Sequence, residues 1–266
     1  MECPKCRMEQ SDGNLLCDYC GIVFAKYRPE RSPAPGPDAG PAATTAEPGF
    51  SVYAPPVQRL AAWLRTRLFD VRPEPPAALA GRGVLLAFLA IWGVRLMATS
   101  IASNGVGESF LHLVNLPFHE AGHVFFTPFG DFVRVLGGTL GQLIMPMVCC
   151  LVLLLKTRDP FGAAVALWWF GENFLDIAPY IDDAGTGELP LLGGNTGEST
   201  PYGFHDWEYL MTETGRLGRE HDLAHASQAF GSAVMVLALA WMAVTLHRSW
   251  SVARATRGSE PSRRAA

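Results

Sequence analysis

The sequence predicts a mainly α protein, a polytopic transmembrane helical bundle of four spans plus one partial helix, with a small cysteine-rich module in front. Three observations carry this. Charged residues make up 17% of the 266 positions, against about 25% in a typical soluble domain. The shortage is local, since 1–82 and 247–266 are polar while the middle holds long apolar runs. Four of these runs, near 83–100, 138–155, 161–180 and 228–246, approach the ~20 residues that a bilayer-crossing helix needs. The net charge of −4 gives no reason to expect a nucleic-acid partner. The partner this composition does ask for is the lipid bilayer.

The chain opens on Cys3-x2-Cys6 and Cys17-x2-Cys20. Two such knuckles supply four thiolates to one tetrahedral zinc. Gly21 follows the second knuckle, where a tight turn around a metal favours a residue without Cβ. A redox dithiol would need only one C-x-x-C, and no βαβ pattern surrounds this one. Residues 1–28 resemble the zinc-ribbon family, which implies one structural zinc on Cys3, Cys6, Cys17 and Cys20. Reduced thiolates argue for the cytosolic side, where the ribbon would offer a docking site to a cytosolic protein partner. Cys149 and Cys150 are adjacent in an apolar run and read as packing residues.

Residues 29–56 are rich in Pro, Ala and Gly and read as an extended linker. The juxtamembrane segment 57–82 begins with an amphipathic helix over 57–72. Val57, Leu60, Leu64 and Leu68 form its apolar stripe, opposite Arg59, Arg65 and Arg67, as in a helix lying on a membrane face. The transmembrane domain is expected over 83–247, with a non-cytosolic loop at 181–227, and a basic cytosolic tail over 248–266. Positive charge sets the orientation. Arg65, Arg67, Arg72 and Arg82 precede the first span, Lys156 and Arg158 lie between the second and third, and Arg248, Arg254, Arg257, Arg263 and Arg264 follow the last. All three clusters share the cytosolic side only if the apolar segment 108–127 enters without fully crossing. The N-terminus has no apolar leader segment, so the first span is expected to act as its own insertion signal. The Ala- and Arg-rich composition points to a bacterial inner membrane.

That fifth apolar segment contains His119-Glu120-Ala121-Gly122-His123 and is interrupted by Pro117. On a helix the two histidines lie one turn apart on one face, where they can grip one Zn²⁺ at about 2.0–2.1 Å. Glu120 stands beside them, placed to take a proton from a metal-acidified water. A catalytic zinc needs a third protein ligand and an open position. Candidates lie in the third apolar run, because a carboxylate inside a membrane costs roughly 2.5–3.5 kcal/mol on insertion scales and a metal would offset it. Asp176 and Glu172 are one turn apart there, and Asp182 and Asp183 follow at the membrane edge. His205-Asp206 in the polar loop could complete or cover the site from the non-cytosolic side. The competing reading has His205 solvated and Trp207 anchoring the loop at the headgroups. His112 reads as a cavity-lining or capping histidine, and His221-x3-His225 as a solvated helix start.

From His119-Glu120-Ala121-Gly122-His123, the link Gly130–Gly138 and the later Leu175-Asp176-Ile177, the stretch 83–184 resembles the site-2 protease family of intramembrane zinc metalloproteases. The resemblance implies a glycine-ended strand over 130–138 and Asp176 as third zinc ligand. Ile177 stands where that family's motif has glycine. Glu172-x3-Asp176 is similar instead to gluzincin metalloproteases, which would make Glu172 the ligand and Asp176 its supporter. Asp176 is the leading choice, then Glu172, with His205 or Asp183 behind them. The expected function is an integral-membrane zinc metalloprotease that cleaves peptide bonds of a membrane-protein substrate, with Glu120 as general base. The alternative is a non-proteolytic zinc-binding membrane protein, a sensor or assembly scaffold.

Overall fold

The computed structural model describes residues 1–5, 9, 15, 17, 22–27 and 56–258. The chain divides into two compact units, Met1–Tyr53 and Ala54–Ala266. In the first, an antiparallel bridge joins Glu2 to Glu9. The Cys17 amide donates to the Ile22 carbonyl at 2.9 Å, and the Phe24 amide to the Leu15 carbonyl at 3.1 Å. Cys3 and Cys17 are buried. Cys6, Cys20 and residues 29–55 of the expected linker lie outside the described residues, as does the tail beyond 258.

The second unit is helical throughout: α1 Pro56–Phe69, α2 Pro76–Ala98, α3 Phe110–Phe126, α4 Asp131–Val152, α5 Pro160–Asp182, α6 Asp206–Glu213 and α7 Glu220–Gly258. Local chemistry sets several starts. Pro76 and Pro160 sit in the first turns of α2 and α5, where proline's missing N–H is no loss. The Asp159 carboxylate caps α5 by accepting from the Gly162 amide at 3.1 Å, as an N-cap aspartate should.

Two sequence expectations are corrected here. Residues 130–138 form no strand: Gly130 turns the chain at φ +94° and α4 begins at Asp131. With only isolated bridges among the described residues, a strand there would have no partner for its backbone groups. Pro117 does not interrupt α3 either, which runs continuously through it.

Among the described residues, three helices are long and apolar enough to cross a membrane: Pro76–Ala98, Asp131–Thr157, which adds a π-helical turn to α4, and Glu220–Ala255. The expected run 161–180 does form α5, equally long, but Glu172, Asp176 and Asp182 dilute its apolar character. It is the interior helix, packed against α7, α4 and α2. Its Phe161, Ala164, Trp168 and Leu175 join Leu89, Leu96, Met235 and Met242 in the main core. The α5–α7 approach is close. A Cβ on Gly171 would stand 2.8 Å from the Gly231 carbonyl oxygen, the signature of small residues letting membrane helices touch.

The basic clusters gather at one end of this unit. Arg67 Nη1 donates to the Leu155 carbonyl at 2.8 Å, Arg82 pairs with Asp159 at 3.4 Å, and Arg248 stacks over the Phe69 ring at 5.0 Å. α3 stays away from that end. His112 and Asn115 meet Asp176 and Glu172 of α5, while Gly122 and His123 meet Gly137 and Arg134 of α4. Both contact sets fall in the halves of α4 and α5 remote from the 152–160 turn.

Candidate metal centre

α3 and α4 touch through glycines. A Cβ on Gly137 would stand 2.8 Å from the Gly122 carbonyl oxygen, and one on Gly141 would stand 2.9 Å from Gly122 Cα. This approach brings α4 against the histidine face of α3. His119 Nδ1 then meets Gln142 Oε1 at 2.9 Å, and His123 Nδ1 meets the Arg134 carbonyl at 2.9 Å. Both partners are acceptors, so both Nδ1 atoms carry the hydrogen and donate it. Both Nε2 atoms are left with lone pairs.

Those lone pairs converge. The two Nε2 atoms are 3.1 Å apart, and Asp206 Oδ2 lies 2.9 Å from the first and 3.2 Å from the second. His119, His123 and Asp206 form a group able to hold one metal ion. Ligand atoms about 2.0–2.1 Å from a tetrahedral zinc stand about 3.3 Å apart, close to these separations. The facing wall is Gly138, where a Cβ would lie 2.5 Å from His123 Nε2 and 2.6 Å from His119 Nε2. Only glycine leaves that space for an ion. Two imidazoles and one carboxylate are the donor set of a catalytic zinc with an open position, so these residues fit the metal that the motif implies.

Asp206 comes from far along the chain. It starts α6, and its amide donates to the Tyr180 hydroxyl at 3.0 Å. The residue before it is the helix cap: His205 Nδ1 accepts from the Glu208 amide at 3.1 Å. His205 Nε2–H therefore donates to Asp183 Oδ2 at 3.2 Å, and its ring packs on Tyr180 with centroids 4.2 Å apart. Burial works against the charge on Asp206, but without a metal an imidazole that takes a second proton donates its Nε2–H to it and holds its carboxyl below the ordinary range. Asp183 is a clamp. Burial opposes its charge too, yet His205, Thr186 and the amides of Leu189 and Glu188 bond it, and its carboxyl titrates below the usual value.

The structure thus brings Asp206, not Asp176, against the histidine pair. Asp176 Oδ1 is engaged with His112 Nδ1 at 2.9 Å and its Oδ2 with Asn115 Nδ2 at 3.0 Å. Glu172 Oε2 shares that amide nitrogen at 3.1 Å. His205 and Asp183, the remaining candidates, bond to each other. His205 is fully buried rather than solvated, and Trp207 packs against Ile101, Ile177 and Ala178. His221 and His225 are exposed at the start of α7, as expected. The signal for Asp206 was its place beside His205. A search guided by the cost of burying charge in apolar runs passes over a loop carboxylate 87 residues from its partner.

The metal group opens onto a cavity of about 650 Å³ lined by His112, His119, Glu120, His123, Asp176 and Asp206, and roofed by the 189–204 loop. The Glu120 side chain faces this space without a hydrogen bond to any described residue. Compared with models of known protein families, with curated proteins and with solved structures, the chain matches none.

Proposed function

We propose that this chain is an integral-membrane zinc metallopeptidase that hydrolyses peptide bonds of membrane-protein segments. The observation that carries the reading is the convergence of three acceptor atoms, His119 Nε2, His123 Nε2 and Asp206 Oδ2, with no donor among them. In a partly buried site such a set needs a shared cation, a metal ion or a proton on one imidazole, and a metal ion satisfies all three atoms at once. Zinc held there supplies Lewis-acid polarisation of a carbonyl and acidifies a water. Glu120, beside His119 on the cavity wall, accepts that water's proton and returns it to the leaving amine. Gln142 and the Arg134 carbonyl fix the tautomers that make both imidazoles ligands. In this reading Asp206 is the third ligand, and Asp176 and Glu172 serve elsewhere.

The same reading takes α5 as a fourth span, sheathed by its neighbours, and α3 as the helix that enters without crossing. The gathering of Arg67, Arg82 and Arg248 at one end supports a cytosolic N-terminus, in a multi-pass protein of a bacterial inner membrane. The N-terminal unit holds a second, structural zinc on Cys3, Cys6, Cys17 and Cys20, supported by the burial of Cys3 and Cys17, and docks a cytosolic protein partner.

The test is metal content and peptide hydrolysis of the full chain in detergent. Wild type is expected to hold two zincs, and His119→Ala/His123→Ala one. Asp206→Ala is expected to lose the same zinc, whereas Asp176→Asn keeps it. Glu120→Gln should keep both metals yet fail to cut a peptide pool read by mass spectrometry. A zinc-loaded wild type that cuts no better than Glu120→Gln overturns the peptidase reading and favours a sensor or scaffold. One zinc in both wild type and the double variant removes the membrane site itself.

A further inference from the structure

A second polar centre lies in the same cavity, and the metal chemistry does not use it. Trp169 Nε1 donates to Asn115 Oδ1 at 2.8 Å, which fixes the Asn115 amide so that its nitrogen faces α5. That nitrogen donates to Asp176 Oδ2 and Glu172 Oε2 at 3.0 and 3.1 Å. Asp176 Oδ1 in turn holds His112 Nδ1 at 2.9 Å. Asn115, Glu172 and Asp176 are buried, and Glu172 Oε1 has no hydrogen-bond partner among the described residues. Burying this much polarity costs stability that apolar residues of the same volume would not. The chain of bonds ends on one partly exposed group, the His112 imidazole, whose side chain is 38% exposed on the cavity wall. Its Nδ1 is taken by Asp176, which leaves Nε2 for a ligand in that space.

We propose that His112, oriented by Asp176, is a substrate-anchoring donor that grips a carbonyl or carboxylate oxygen of the peptide away from the bond being cut. The ligand class rests on the peptidase reading above. The donor character rests on the pair that Asp176 Oδ1 makes with His112 Nδ1 at 2.9 Å. An imidazolium held in that pair through Nδ1 has its Nε2–H left to donate. The distance rests on helix geometry. His112 precedes His119 by seven residues, about 10 Å along the axis of α3. An extended peptide rises about 3.3 Å per residue, so the anchored oxygen lies about three residues from the scissile bond. Asp176 and Asn115 are positioning residues, since neither needs to touch the peptide.

Binding rather than turnover tests this, by calorimetry on the zinc-loaded full chain in detergent. The probes are acetohydroxamate, two hydroxamates carrying a three-residue peptide arm ending in a free carboxylate or in an amide, and the arm without hydroxamate. An added charge-assisted hydrogen bond predicts that the armed hydroxamates bind wild type about tenfold more tightly than acetohydroxamate. His112→Ala should erase that advantage and leave acetohydroxamate affinity unchanged, which a misfolded site would not do. His112→Gln, which keeps a donor, should restore part of it, and Asp176→Asn should lose most of it. Equal losses for acid and amide arms identify a main-chain carbonyl; a loss confined to the acid identifies a terminal carboxylate. The proposal falls if the arm gives no advantage in wild type, or if the advantage survives His112→Ala. Should acetohydroxamate fail to bind while the arm alone binds in a His112-dependent way, the metal reading falls and this anchor stands.

Discussion

At the scale of single residues, the metal centre depends on atoms that never touch the ion. Gln142 is buried and accepts from His119 Nδ1. Replacing it with Leu leaves that ring free to place its hydrogen on Nε2, the ligand atom. Losses of such supporting partners weaken metal affinity by about 10–100-fold, and competition with a zinc chelator should show a loss in this range for Gln142→Leu. Gly138→Ala makes a sharper case. Its Cβ would stand 2.5–2.6 Å from both histidine Nε2 atoms, so of the two zincs proposed above the one at His119 and His123 should be lost. Asp183 acts at the loop instead. Its carboxyl titrates below the ordinary value, so its bonds contribute stability that is full above the ordinary carboxylate range and is lost as pH falls through the lowered value. Hydrogen exchange at the Glu188 and Leu189 amides should stay slow down to about pH 4 and quicken below it. Asp183→Asn should already be fast at neutral pH, and slow exchange in that variant would show that the clamp holds nothing.

At the scale of elements, two helix pairs meet backbone to backbone. The motif glycine Gly122 lies against Gly137 and Gly141 of α4, and Gly171 lies against Gly231 across α5 and α7. The histidine pair reaches Gln142 and the Arg134 carbonyl only because α3 and α4 come this close. Gly141→Ala pushes the helices apart, and overpacking of this kind costs about 1–3 kcal/mol. A lowered thermal midpoint in detergent together with weakened zinc binding is the expected result. A lowered midpoint with unchanged zinc affinity would mean that the centre does not depend on this contact. α6 shows the converse, a short helix whose first residue faces the histidine pair. His205 caps it, Tyr180 takes its first amide, and Asp206 is aimed as a consequence.

At the scale of the molecule, the arrangement separates a basic end from a chemical end. Arg67, Arg82, Arg248 and the 152–160 turn share one end, while His112, the histidine pair and the 183–206 loop lie in the other half of the bundle. With the basic end cytosolic, a membrane-impermeant maleimide should label Asn195→Cys in spheroplasts. Thr157→Cys should label only after permeabilisation, measured against the unsubstituted chain. The reverse pattern would invert the orientation.

How much of this was legible in the sequence depends on the range of the interaction involved. The helical spans, the pairing of His119 with His123 and the place of Glu120 follow from local rules. Apolar run length sets a span, and the 3.6-residue period puts positions i and i+4 on one face. The strand that the family resemblance implies over 130–138 is absent because nothing local in that short segment excludes a helix, and α4 takes it. What the tertiary structure alone decided is the company each polar group keeps. Asp176 and Glu172 lie at the right depth for a ligand, yet Asn115 and His112 take them, because α3 presents those residues to α5 and turns the histidine pair toward α4. The vacant ligand position falls to Asp206, carried in by a capped helix from beyond the last loop turn. Burial cost identifies which carboxylates need partners, and chain topology chooses the partners. The sequence determined that a histidine pair able to hold a metal sits in an apolar helix, and only the packing of α3, α4, α5 and α6 determined which carboxylate meets it.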